Sequence, residues 1–121
     1  MATSGPDFVS FQVRDKDVSA RFYEDVLGMT RIAVPNPHAY AFSDGATTFA
    51  VRDPLPGFDP AAGELGAGIA VWFRNPDAER VHERAVAADA PIVQEPVVGP
   101  FGFTFAVRDP DGYVVTIHER A

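Results

Sequence analysis

At 121 residues, with 46% hydrophobic and 22% charged side chains, the chain has the make-up of one folded domain and not of a disordered tail. A net charge of −7 without any Lys/Arg cluster leaves no basic face for duplex nucleic acid or an anionic membrane, and the lack of cysteine excludes disulfides, thiolate metal sites and a cysteine nucleophile. No apolar run approaches the ~20 residues of a membrane span, and the opening MATSGPDF has no signal-peptide pattern, so a cytoplasmic protein acting on small molecules is expected.

Phe8 to Val13, FVSFQV, alternates as a strand with Val9, Phe11 and Val13 on one face. DKDVSARFYEDVLG follows with Asp caps at its start, Val18, Phe22 and Val26 at spacing four, and Gly28 as its stop, which is a helix. MTRIAV, HAYAF and TTFAV then read as three short strands parted by the turns PNP and SDG. RDPLPGFDPAAGELGAG is rich in Pro and Gly and reads as a linker or a flap. Beyond it GIAVWF is a strand, NPDAERVHERAVAADA a helix with Asn75 as N-cap and Pro76 in its first position, and Asp89 a candidate for left-handed backbone at its end. PIVQEP, FTFAV and YVVTIH close the chain as strands, the last after a DPDG hairpin turn.

The order strand, helix, strand, strand, strand therefore occurs twice. VRDKD echoes in FRNPD, and SDGATTFAV in DPDGYVVTI. The expected architecture is α+β: residues 1–121 as a single domain, with module one over 6–52, a linker over 53–67 and module two over 68–120. His38 and His82 read as surface groups, and the charges of the second helix as a solvated face. No Ser-His-Asp arrangement, phosphate loop or nucleotide fingerprint is present.

Two βαβββ modules, FYEDVLG in the first helix and DPDGY before the last strand resemble the vicinal oxygen chelate superfamily of glyoxalases, extradiol dioxygenases and fosfomycin- and bleomycin-resistance proteins. The resemblance implies two curved mixed sheets around a cleft. It also implies metal ligands, in members that bind metal, at the start of each module's first strand and midway along its last. Carried onto this chain, those points fall on Phe8, on Ala70 (Gly68 if the register slips by two), on Thr116, and on Phe49 when SDGATTF is aligned with DPDGYVVT. None is a usual divalent-metal ligand, so no metal and no cofactor are expected. A metalloenzyme with displaced ligands, such as His38 or Glu119 recruited by a different register, is an alternative.

Strand alternation puts Phe8, Ser10, Gln12, Phe49, Val51, Ala70, Trp72, Thr116 and His118 on the cleft face. Phe8, Phe49 and Trp72 would be aromatic walls for a ligand, or the two Phe would fill a core where a metal would sit. The function implied is metal-free binding of an aromatic or hydrophobic compound such as an antibiotic. The acidic charge would suit a cationic one, and a homodimer would carry clefts near its subunit boundary. The alternative is an enzyme of the same superfamily (lyase, isomerase or dioxygenase), metal-independent or with displaced ligands. His118 is its candidate catalytic residue.

Overall fold

In the computed structural model, which describes residues 1–121, the repeat becomes two similar halves. The first contains β1 (Phe8–Gln12), α1 (Lys16–Asp25), β2 (Arg31–Ile32), β3 (Ala39–Ser43) and β4 (Thr48–Arg52). The second contains β5 (Val71–Arg74), α2 (Ala78–Ala87), β6 (Ile92–Gly99), β7 (Gly102–Arg108) and β8 (Val114–His118). Each half makes a mixed four-stranded sheet, ordered β1-β4-β3-β2 and β5-β8-β7-β6. In both, the strand before the helix pairs in parallel with the last strand of its half, and the other pairs are antiparallel. This is the α+β fold expected, with two curled modules.

The caps explain where the helices lie. Asp15 Oδ1 accepts from the N–H groups of Asp17 (3.0 Å) and Val18 (3.3 Å), satisfying two donors that have no partner inside α1. Gly28, at φ 76°, takes the left-handed conformation that turns the chain away. The buried stripe of α1 is Ser19, Ala20, Phe22 and Tyr23, while Val18, expected in that stripe, is exposed. In the second half the cap is Asp77, not Asn75. Asn75 Oδ1 accepts from Asp77 N at 2.8 Å, a local turn that delays the helix to Ala78. Asp89 has φ 57°, as its position after α2 suggested.

One core of 18 residues runs through both modules. Phe11 stacks on Tyr113 at 4.1 Å, and Phe49 meets Phe73 edge-on at 5.1 Å. Polar bonds complete the union. Tyr113 donates its hydroxyl to Gln12 O (2.8 Å), Arg84 Nε donates to Val26 O (2.9 Å), and buried Tyr23 donates to Asp109 Oδ2 (2.7 Å). Between β4 and β5 the chain forms neither strand nor helix, yet it is held down. Leu65 packs on the core, and Leu55 N donates to Gln12 Oε1 at 2.7 Å. His82 is not the surface group expected: its ring lies edge-on to Phe105 at 5.0 Å, and its Nε2 is buried without a partner.

Candidate functional site

Pairing register decides which side chains face the helices. Directly opposed residues share a face, so Val9, Phe49 and Phe42 form one row, and Phe11, Val51 and Tyr40 the next. Phe49, Phe42, Phe11 and Val51 are buried there, in rows packed beneath α1. The opposite, open face of the first sheet carries Phe8 with Thr48, Ser10 with Ala50, and Gln12 with Arg52.

Phe49 and Val51 therefore do not stand on the cleft face, contrary to the sequence expectation. Val13 N donates to Arg52 O and Asn75 N donates to His118 O, each at 2.9 Å, so Arg52 matches His118 and Ala50 matches Thr116. The alignment on Asp-Gly fails because two residues, Ala46 and Thr47, separate Gly45 from Thr48, whereas only Tyr113 separates Gly112 from Val114. One additional turn residue reverses every side chain in the strand that follows.

In the second sheet the phase holds. Val115 and Ile117 are buried beneath α2, and Trp72 pairs with Thr116, and Arg74 with His118, on the open face. Ala70 lies just before β5 and is exposed. Phe8 and Trp72 are large apolar groups left 57% and 48% exposed, so water meets both rings. Gln12 is on the open face too, but its carbonyl oxygen is committed to Leu55 N.

Where the two modules meet, an open groove of about 580 Å³ runs between the β3–β4 turn and the end of β5. Trp72, Arg74 and His118 border it on one side and Ser43, Asp44 and Thr47 on the other. Phe49, a core residue, and Phe73, half-buried against that core, also line it. A smaller hollow of about 170 Å³ is lined by Phe8 and again by Trp72. The indole is thus a wall common to both.

Three rings gather at the groove's edge. Trp72 is 5.6 Å from Phe101 and 5.6 Å from His118, and Phe101 is 5.8 Å from His118. His118 Nδ1 lies 2.7 Å from Arg120 O; a carbonyl only accepts, so Nδ1 carries a proton and Nε2 is the free ring nitrogen. Phe101 and Arg74 were not among the expected site residues. Phe101 sits in the β6–β7 turn, where no alternation marks it. Arg74 could have been found, because it is two residues beyond Trp72 and so on the same face.

The family pattern for the Glyoxalase/Bleomycin resistance protein/Dioxygenase superfamily matches residues 5–117. The chain belongs to that superfamily. Solved structures agree in fold. A glyoxalase/bleomycin resistance protein from Albidiferax ferrireducens T118 is 26% identical with a TM-score of 0.76, over 95% of this chain and 98% of that one. TnmS3, an antibiotic binding protein from Streptomyces sp. CB03234, is 21% identical with a TM-score of 0.74, over 100% and 99%. The fosfomycin resistance protein FosX from Mesorhizobium loti is 19% identical with a TM-score of 0.74, over 99% and 95%. No curated protein matches the chain in sequence.

At the points where the resemblance implies ligands in metal-binding relatives, with the strand phase corrected, this chain carries Phe8, Ala50, Ala70 and Thr116. A phenyl ring, two methyl groups and one hydroxyl do not fit a divalent ion, which needs imidazole or carboxylate donors. The displaced alternatives do not converge on the groove. Glu119 Oε1 accepts from Phe103 N at 2.9 Å, and His38 Nδ1 lies 3.3 Å from Asp53 Oδ2. Nowhere do three His, Asp or Glu side chains come together as a metal site would require. No helix is long and apolar enough to cross a membrane.

Proposed function

We propose that the protein binds a small, flat aromatic compound, of the antibiotic kind, on its open faces without a metal. One observation carries this reading: the exposed Trp72 ring, with Phe101 and His118 beside it, at the edge of a groove about 580 Å³ in volume. An aromatic group left wet beside a concavity of ligand size is a stacking platform, each contact adding on the order of 1 kcal/mol. The description of TnmS3 as antibiotic binding supports the compound class. A second copy of the chain is part of the proposal. Phe8, Ile69, Val97 and Phe101 are exposed apolar groups around the same region, and pairing of two chains would cover them and narrow the cleft. Trp72 is the chain's sole tryptophan, so its fluorescence reports binding directly. Titration with a panel of aromatic antibiotics should give saturable quenching by at least one class. Sedimentation should give a dimer.

A second reading rests on His118. With Nδ1 held by Arg120 O, Nε2 can accept a proton from a bound substrate, which is the geometry of a metal-independent general base. Turnover lost in His118→Ala with binding retained would favour it over simple sequestration.

A further inference from the structure

The groove's polar end has a sign. Arg74 and His118 are opposed across β5 and β8, so a guanidinium and an imidazole stand together on the open face, directly after Trp72 and Thr116. Arg74 has no carboxylate partner; the ion pairs of the chain are Arg14–Asp111, Arg31–Glu24 and His38–Asp53. Arg84 and Arg108, by contrast, are each committed to a backbone carbonyl. The groove has a single acidic group, Asp44, on the far rim. Its Oδ1 accepts from Ala46 N (3.0 Å) and Thr47 N (3.4 Å), and those bonds hold the charge in its own turn and its pKa below the ordinary value.

Resting on the reading of the groove as an aromatic-ligand site, we infer that its occupant is an aromatic acid: a flat ring against Trp72 whose carboxylate, or similar anionic oxygen group, sits between Arg74 and His118. The planar guanidinium fork suits two oxygens. The net charge of −7 opposes an anion only at long range, where salt screens it beyond about 8–10 Å; at contact the local cation decides.

Three probes of one shape separate the terms: naphthalene-2-carboxylate, its carboxamide and 2-naphthylmethylamine, each titrated against Trp72 fluorescence in the wild-type protein and in Arg74→Ala. Arg74 is exposed and makes no structural bond, so the variant should fold normally. The carboxylate should bind about tenfold more tightly than the carboxamide, with the amine weakest. In Arg74→Ala the carboxylate should fall to the carboxamide's affinity while the carboxamide is unchanged. Equal binding of carboxylate and carboxamide by the wild type would refute the inference and leave the aromatic site standing. A preference that survives in Arg74→Ala would refute the assignment to Arg74. No binding of any probe would overturn both the inference and the function it rests on.

Discussion

Asp109 offers a quantitative test of how the two modules are joined. Its carboxylate is only 5% exposed, accepts from Tyr23 of the first module at 2.7 Å, and also accepts from the N–H groups of Asp111 and Tyr113 at 2.9 Å each. Burial raises its pKa from 3.8 to about 6, against the opposing pull of those hydrogen bonds. The folded protein thus holds this proton more tightly than the unfolded chain does. Stability from this group is fully present below pH 3.8 and is lost as pH rises through about 6. The difference between 3.8 and about 6 corresponds to about 3 kcal/mol. In Asp109→Asn the amide oxygen can still accept from Asp111 N and Tyr113 N, and the titration is gone. Urea unfolding of both proteins, compared between pH 4 and pH 7, cancels the other carboxylates. Wild-type stability minus that of Asp109→Asn should fall by roughly 2–3 kcal/mol across this window. A difference that stays flat, or that grows with pH, would refute the reasoning.

Tyr23→Phe leaves the buried Asp109 without one of its donors and should cost about 1–3 kcal/mol in chemical denaturation. The corrected strand phase predicts opposite behaviour of two phenylalanines. Phe49→Ala should lower stability by about 3–5 kcal/mol because that ring is 4% exposed among other core rings. Phe8→Ala, at 57% exposure, should leave the melting temperature nearly unchanged yet weaken ligand binding severalfold. Gly28→Ala forces a Cβ into φ 76° and to 3.4 Å from Arg84 Nη2, and should cost about 1 kcal/mol in a thermal melt.

Most of the architecture was legible because each device is local. The repeated order of elements, the Asp15 cap, the Gly28 stop and the DPDG turn lie in adjacent residues, and all produce the structure their chemistry suggests. Errors arose where one residue of spacing or a distant contact decides. The alignment on Asp-Gly puts Phe49 on the wrong face because the stretch from Gly45 to β4 is one residue longer than that from Gly112 to β8, and alternation cannot detect a slip in its own origin. His82 looked like part of a charged helix face, but the exposure of a helical position depends on which strand lies under it, here β7 with Phe103 and Phe105. MTRIAV shrinks to the two-residue β2 at a sheet edge. At the site, Trp72 and His118 were visible by alternation. Their meeting with Phe101 was not, since a turn brings that ring across.

A single titration bears on the central claim most directly. Protein stripped with a chelator is titrated with an aromatic antibiotic it binds, by Trp72 fluorescence, before and after addition of zinc, manganese, nickel or ferrous iron. With Phe8, Ala50, Ala70 and Thr116 at the points where the resemblance implies metal ligands, the affinity should be the same in every sample. Binding that appears only once a divalent ion is restored, with one ion retained per chain, would contradict the account.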